Sequence, residues 1–219
     1  MIAARIISLV IGYGAGLFQT GLLVGRRKKA DLRHEGSGNT GVTNSIRVMG
    51  MKAGVVVALG DVFKCIIAMI VVWLLFRNRQ PEMAQMLMLY AGLGTVLGHD
   101  FPFYTKFKGG KGIAVTCGIA LSYHPLMIPI CAICFFGFII PTGYMSLGSM
   151  AITASLFVQI LVFGQLGLLR TAAPFLIETY VVAAIITVIN FAKHRENIRR
   201  LAHGQERKFM HKSQEKQAE

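Results

Sequence analysis

An all-α, polytopic integral membrane protein with about seven transmembrane helices is the fold class that the sequence predicts, and three observations support it. The 219 residues are 54% hydrophobic and only 15% charged, with a mean hydropathy of +0.56, whereas an ordinary globular chain is about a quarter charged. Apolar runs long enough for membrane-crossing helices recur along the chain, and the charges lie in short blocks between them. We expect one membrane-embedded domain over residues 1–219, with a solvated polar tail at about 205–219.

The apolar runs give the predicted helices in order. Residues 6–25 contain no charge, and about 20 residues at about 1.5 Å each span the hydrocarbon core. Further single runs cover residues 53–76, 83–97 and 174–192, and residues 146–169 are the last part of a longer run. From residue 112 to residue 169 there are 58 positions without Asp, Glu, Lys or Arg. That length suits three short helices, with breaks at 122–125 and 141–144.

The piece at 113–123 is too short to cross a membrane alone. Either its helix starts inside the preceding glycine-rich loop, or that loop dips into the membrane, where irregular backbone survives only if it lines a polar cavity. Both alternatives place the lysines of the loop beside a cleft at the membrane face.

Charge predicts the orientation. In a seven-helix arrangement, residues 26–52, 98–112 and 193–219 emerge on one side with eighteen Lys and Arg residues, against four on the other. Because cytoplasmic loops carry the excess of basic residues, we expect the N-terminus outside and the C-terminus in the cytoplasm. The three polar segments and the turn at 142–146 then share the cytoplasmic face, where they can build one site.

The segment 98–112 carries one histidine, three lysines and four glycines. Glycine backbone beside lysine ammoniums suits an anion, above all a phosphate. The segment is not a Walker A loop, because Thr105 and Gly112 replace the first glycine and the final Ser or Thr. A basic loop that merely orients two helices is the alternative.

Several residues keep two interpretations. Asp61 and Lys64 lie three apart within an apolar run and form either a structural ion pair or a substrate contact. His99 either braces its loop by hydrogen bonding or acts in catalysis. The pair Cys131 and Cys134 is interpreted as an apolar helix face rather than a metal or redox site. The polar segment at 30–52 is interpreted as a substrate-contacting loop rather than a linker.

No sequence pattern points to a metal or a cofactor. Motifs of the types H-E-x-x-H, D-x-D and G-x-S-x-G are absent, as are carboxylates paired for two-acid hydrolysis. We therefore predict no zinc, no magnesium and no acyl-serine. The net charge of +13 indicates anionic lipid headgroups and anionic substrates rather than nucleic acid, because the basic residues do not follow an amphipathic face with interleaved aromatics.

Three motifs in chain order resemble those of the bacterial acyl-phosphate-dependent glycerol-3-phosphate acyltransferases. The first contains Asp31-Leu32-Arg33, Gly36-Ser37-Gly38-Asn39, Gly41, Thr43-Asn44 and Arg47. The second contains Gly98-His99, Phe101-Pro102 and Phe107-Lys108-Gly109-Gly110-Lys111-Gly112. The third contains His194-Arg195-Glu196-Asn197-Ile198, Arg200-Leu201, Gly204 and Glu206. The resemblance extends over essentially the whole chain, with small departures such as Val42 where alanine is expected.

The resemblance implies transfer of a fatty acyl group from acyl-phosphate to the primary hydroxyl of glycerol 3-phosphate, giving lysophosphatidic acid and phosphate without a covalent acyl-enzyme. It implies a bacterial inner-membrane enzyme of phospholipid synthesis, with its site at the cytoplasmic face and no obligate protein partner. We expect His194, Asn197 and Lys111 to be catalytic. The expected substrate-binding residues are Ser37, Gly38, Asn39, Thr43, Asn44, Arg47, Lys108, Gly109, Gly110, Gly112 and Ser146.

The lysines and glycine amides are expected to hold phosphate, and His194 and Asn197 to orient or deprotonate the attacking hydroxyl. The base is either His194 or a substrate phosphate. The alternative function is a membrane transporter or lipid translocator with a cytoplasmic anion-binding vestibule. That alternative accounts for Asp61, Lys64 and the lysine loop, but it requires neither His194 nor Asn197.

Overall fold

The computed structural model describes residues 1–209, and within them all regular structure is helical. The α-helices are α1 (Ile2–Gly16), α2 (Thr20–Lys28), α3 (Val42–Met49), α4 (Met51–Phe76), α5 (Ala84–Asp100), α6 (Ile113–Tyr123), α7 (Met127–Thr142), α8 (Met145–Gln165), α9 (Leu176–Lys193) and α10 (Arg195–Ala202). Short 3-10 turns cover Phe103–Thr105 and Ala173–Phe175. The predicted all-α class is confirmed.

Helix α5 is the centre of the bundle. It packs against α1, α4, α6 and α9, and each of its residues is buried or half-buried. The chain's apolar surface instead faces outward, as on α4. There, large apolar side chains at helical spacing are 46–59% exposed, while Asp61 and Lys64 point inward. The exposed stripe comprises Val55, Leu59, Phe63, Ile67, Ile70 and Leu74. Apolar side chains outside and ion pairs inside are the arrangement that a lipid environment favours.

Four helical stretches within the described residues are long and apolar enough to cross a membrane: Ile2–Lys28, Met51–Phe76, Met145–Gln165 and Ala173–Lys193. The first comprises α1 and α2, and the last includes the 3-10 turn before α9. Shorter apolar helices lie at Ile113–Tyr123 and Met127–Thr142. The breaks predicted at 122–125 and 141–144 are present between α6, α7 and α8. Seven crossings and an outside N-terminus remain predictions.

Three boundaries differ from the prediction. The first apolar run is broken between Gly16 and Thr20, where the Gln19 side chain donates to the carbonyls of Gly16 and His99, both at 3.1 Å. Helix α8 ends at Gln165 rather than near residue 169, because the chain turns at Gly167 with φ +69°. Helix α6 begins at Ile113, after the glycines, so the first of the two alternatives, a helix that starts inside the glycine loop, is wrong.

The last helix, α10, does not continue α9. The helix is interrupted at His194 (φ −94°, ψ 4°), and α10 begins at the next residue. The predicted solvated tail at about 205–219 is wrong for Glu206 and Phe209, which are half-buried against the rest of the protein. Residues 210–219 lie outside the described residues.

Helices α1 and α5 approach so closely that their backbones touch. A methyl group on Gly94 would overlap the Leu9 carbonyl and the backbone of Tyr13. Because backbone cannot yield as a flexible side chain can, Gly94→Ala is expected to destabilise the protein by about 1–3 kcal/mol. Thermal unfolding in detergent measures this. Gly14→Ala is the matched control, since nothing lies within 4 Å of its added methyl. Equal unfolding temperatures for the two variants would contradict the packing argument.

Candidate active site

The polar segments meet in one cavity of about 640 Å³ at one end of the bundle. Its wall comes from the loop before α3 and α3 itself, the start of α6, the start of α8, and the chain from His194 onward. Ten of the predicted site residues line it: Ser37, Asn39, Thr43, Asn44, Arg47, Lys111, Gly112, Ser146, His194 and Asn197. The structure therefore brings three motifs that are far apart in sequence to a common space.

A chain of hydrogen bonds connects the lysine of the glycine loop to the C-terminal segment. The Lys111 ammonium donates to Oδ1 of Asn197. The Asn197 amide donates onward to Oε1 of Glu206 at 2.6 Å. Burial foremost, and the nearby Arg200 guanidinium next, lower the pKa of Lys111. The ammonium is thus held in a fixed place at the cavity wall, where a phosphate would relieve part of its desolvation.

Glu206 is the acceptor at the centre of this network. Besides Asn197, its carboxylate accepts from Ser146 Oγ at 2.9 Å and from Arg200 Nε at 2.7 Å. Burial alone would raise the pKa of Glu206, but these hydrogen bonds together lower it below its usual value. The chain reaches this position through Gly204, whose φ of +66° lets it turn back after α10. Glu206 therefore joins α8 to α10 beside Lys111.

His194 lies at the bend between α9 and α10 and is only 3% exposed. Its Nδ1 is 2.8 Å from the carbonyl oxygen of Asn190. A carbonyl only accepts, so Nδ1 carries the hydrogen, and Nε2 keeps a lone pair. Burial foremost lowers the pKa of His194 to about 4, the Asn190 carbonyl opposes this, and Lys111 lowers it further. The imidazole is therefore neutral near pH 7 and can accept a hydrogen bond.

The loop before α3 is organised by Asn44. Its Oδ1 accepts from the Ser37 amide at 2.8 Å, and its amide donates to three carbonyls, including those of Glu35 and Asn39. These bonds use the Asn44 side chain within the loop, so it positions the loop rather than a substrate. Asn39 links this loop to the next motif, because its amide donates to the Gly109 carbonyl at 3.3 Å. The hydroxyls of Ser37 and Thr43 make no hydrogen bond within the described residues.

Four predicted substrate contacts do not line the cavity. The amides of Gly109 and Gly110 donate to the carbonyls of Asp100 (3.2 Å) and His99 (3.0 Å), so they have no hydrogen left for a phosphate. Lys108 and Gly38 are exposed and lie outside the cavity wall. The two buried glycines instead shape the loop that presents Lys111.

Gly112 ends that loop and begins α6. Its φ of +71° lies in the left-handed region that glycine occupies at no steric cost. A methyl group there would also meet Oδ1 of Asn190 at 2.5 Å. Gly112 therefore sets the angle at which the lysine loop joins α6.

The far part of the cavity is apolar. Its wall is formed mainly by α6, α7 and α8, with Cys117, Cys131, Phe135 and Ile152 among the side chains that face it. All four cysteines are free thiols, and the Cys131 side chain belongs to this apolar surface. The cavity thus joins a polar end to a hydrocarbon-like end, as an amphiphilic ligand requires.

The polar end is basic, and part of its wall was not predicted. Four basic side chains line it, those of Arg47, Lys111, Arg200 and Arg207. Only two carboxylates line it, those of Glu206 and Asp61. Glu206 and Arg200 were within the third motif, yet no role was assigned to them, because nothing in the sequence shows that the chain returns after Gly204. His99 and Asp61 also reach the wall. The excess of cations suits a ligand with phosphate groups.

Comparison with known proteins identifies the same family that the three sequence motifs resemble, over most of the chain. The family described as "Glycerol-3-phosphate acyltransferase" matches residues 6–204. The chain belongs to this family. A glycerol-3-phosphate acyltransferase of Bacillus subtilis (strain 168) is 36% identical over 196 residues, covering 88% of this chain and 91% of the relative. One of Geobacter sulfurreducens is 34% identical over 205 residues, with 94% and 97% covered.

The fold of this acyltransferase is also similar to solved structures. The crystal structure of PlsY (YgiH), an integral membrane glycerol 3-phosphate acyltransferase, in its glycerol 3-phosphate form superposes with a TM-score of 0.79. That protein is 30% identical, and the match covers 93% of this chain and 94% of the other. A lysophosphatidic acid form gives a TM-score of 0.78. The predicted family and the integral membrane class are confirmed.

Proposed function

We propose that the protein transfers a fatty acyl group from acyl-phosphate to the primary hydroxyl of glycerol 3-phosphate at the cytoplasmic face of a bacterial inner membrane. The observation that carries this proposal is the single cavity with a basic end and an apolar end. The basic side chains at one end suit phosphorylated molecules, and the apolar surface that contains Cys131 and Phe135 suits an acyl chain.

The proposed step is a direct displacement. The hydroxyl oxygen of glycerol 3-phosphate attacks the carbonyl carbon, the new ester bond forms, and the bond from that carbon to the phosphate oxygen breaks. Phosphate leaves with the bonding electron pair, and no acyl-enzyme is formed. A mixed anhydride has a good leaving group, so the protein's task is to align the reactants and neutralise charge. Lys111 and Arg47 meet the phosphates, and Ser37, Thr43 and Ser146 supply hydroxyl donors.

His194 orients the attacking hydroxyl through Nε2, and a substrate phosphate takes the proton. The pKa of about 4 at His194 makes this imidazole a weak base in the free enzyme, whereas a phosphate monoester has its second pKa near 6. Asn197 holds Lys111 beside these groups.

The assay mixes purified protein in detergent with glycerol 3-phosphate and palmitoyl phosphate. Lysophosphatidic acid and inorganic phosphate should appear in equal amounts. Parallel reactions replace palmitoyl phosphate by palmitoyl-CoA or by palmitoyl acyl carrier protein, and these should give no product. Product with either thioester and none with palmitoyl phosphate would refute the proposed donor.

The pH dependence separates the two candidate bases. The profile of kcat/KM should fall on the acid side near pH 6, as the substrate phosphate takes its second proton. Burial lowers the pKa of His194 to about 4, so we expect its protonation to produce a limb well below pH 6. His194→Gln should therefore lower the rate but keep the same limb. Loss of the limb in His194→Gln would identify His194 as the group that titrates.

Since the unfolded histidine has a pKa of about 6.5, burial of His194 also makes stability rise with pH between about 4 and 6.5.

A further inference from the structure

A buried polar cluster lies beneath the cavity and joins α4 to the end of α5. The Lys64 ammonium donates to Oδ1 of Asp61 at 2.8 Å and to the carbonyl of Phe18 at 2.8 Å. Its third neighbour is Nδ1 of His99 at 2.9 Å. Thr20 also donates to Oδ1 of Asp61, at 3.0 Å. Asp61 and His99 reach the cavity wall, whereas Lys64 lies behind them.

These contacts determine which nitrogen of His99 carries the hydrogen. A carbonyl and a carboxylate can only accept, and an ammonium has three hydrogens and no acceptor. Lys64 therefore directs its third N–H at Nδ1 of His99, which must offer a lone pair. The hydrogen of the neutral imidazole is then on Nε2. The same ammonium opposes protonation of Nδ1, because that would set two donors against each other.

The Nε2 atom of His99 faces the glycine loop at the cavity. A methyl group on Gly110 would overlap it, which explains why glycine is required at this position. Within residues 1–209, Nε2 makes no hydrogen bond. It is nevertheless not sealed from solvent. His99 is itself only 3% exposed and lines the cavity. A donor in this position can therefore be met by a molecule in the cavity.

We propose that His99 is a catalytic residue that donates from Nε2–H to a phosphoryl or carbonyl oxygen of a bound substrate, and that Lys64 and Asp61 are positioning residues that fix its tautomer. This proposal rests on the proposed acyl transfer. It gives the site two neutral histidines of opposite polarity. His194 accepts through Nε2, and His99 donates through Nε2.

Two substitutions of His99 separate donation to substrate from acceptance of Lys64. In His99→Gln the side-chain amide reaches the position of Nε2 and keeps a donor there. In His99→Asn the shorter side chain places its oxygen near Nδ1, so it keeps the Lys64 contact and loses the donor. We expect His99→Asn to lower kcat/KM about 10- to 100-fold and His99→Gln to retain several times more activity than His99→Asn. The reverse order, or equal losses, would overturn the proposal.

The kinetic constants identify the oxygen that accepts. A rise in KM for glycerol 3-phosphate in His99→Asn indicates that His99 donates to the phosphate of glycerol 3-phosphate. A rise in KM for palmitoyl phosphate indicates that it donates to the phosphate of palmitoyl phosphate. A fall in kcat alone indicates the carbonyl oxygen, where charge develops in the transition state. His124→Asn is the control, because that histidine is at the opposite end of α6 and does not line this cavity.

NMR of protein labelled with ¹⁵N-histidine tests the tautomer without relying on activity. The signals of His99 are those absent from the His99→Gln spectrum. In the unsubstituted protein at pH 7 they should show the Nε2–H tautomer alone, and glycerol 3-phosphate should shift them. Lys64→Met should give a mixture of tautomers and a lower kcat. A pure Nε2–H signal in Lys64→Met, or an Nδ1–H signal in the unsubstituted protein, would overturn the role assigned to Lys64. These results hold even if the acyl donor is misassigned.

Discussion

Replacement of Lys111 by alanine is expected to lower kcat/KM by about 10²- to 10³-fold. Lys111 is held at the cavity wall by Asn197, where it can neutralise a phosphate without moving. Water competes poorly in such a place, so the ammonium contributes more than an exposed lysine would. Steady-state kinetics with glycerol 3-phosphate and palmitoyl phosphate measure the loss.

Lys106→Ala is the control for Lys111→Ala. Lys106 belongs to the same loop, is exposed, and does not line the cavity. It should retain nearly full activity. Lys106→Ala should unfold at the temperature of the unsubstituted protein, because its side chain is exposed. Lys111→Ala should unfold at a somewhat lower temperature, because Oδ1 of Asn197 loses its donor. Similar activity in the two variants would show that Lys111 does not act on the substrates.

Replacement of Glu206 by alanine is expected to lower kcat/KM about as strongly as Lys111→Ala does. It is also expected to lower the free energy of unfolding. The change removes the acceptor of Ser146, Asn197 and Arg200 at once. Leaving such groups unpaired costs about 1–3 kcal/mol each where they are buried, and the partial exposure of Arg200 limits the total to about 2–3 kcal/mol. Once Asn197 is released, Lys111 loses its fixed place, so activity should fall about 10²-fold or more.

Glu206→Gln is the informative intermediate. Its side-chain oxygen can still accept from Asn197 and Ser146, so it should be more stable and more active than Glu206→Ala. Glu196→Gln is the control, since Glu196 lies on α10 and is exposed. Activity assays and thermal unfolding on the four proteins test the argument. If Glu206→Ala unfolds at the normal temperature with normal turnover, the network does not support the site.

Much of this site could be predicted because the charge pattern of a membrane protein constrains topology. Polar segments separated by an even number of membrane crossings emerge on the same side of the membrane. Residues near Ser37, Lys111 and His194 are therefore expected to meet. The family motifs then identified which polar residues to consider. Ten of them line the cavity.

The remaining features depend on which hydrogen bonds each group has already made. The amides of Gly109 and Gly110 are used by the backbone of residues 99 and 100, and no sequence pattern shows this. Asn44 likewise organises its own loop. Asp61 and Lys64 do form an ion pair, but the contact of Lys64 with His99 could not be predicted without knowing where α5 lies.

The last part of the cavity wall comes from residues 206–209, after all of the apolar helices in chain order. The amide of Phe209 donates to the Gly143 carbonyl at 2.9 Å, and Arg207 and Phe209 line the wall. During synthesis, therefore, the ribosome completes every apolar helix before the groups that finish the site exist. The complete site can form only after these helices have been synthesised, because a nascent chain that lacks residues 194–209 lacks part of the cavity wall.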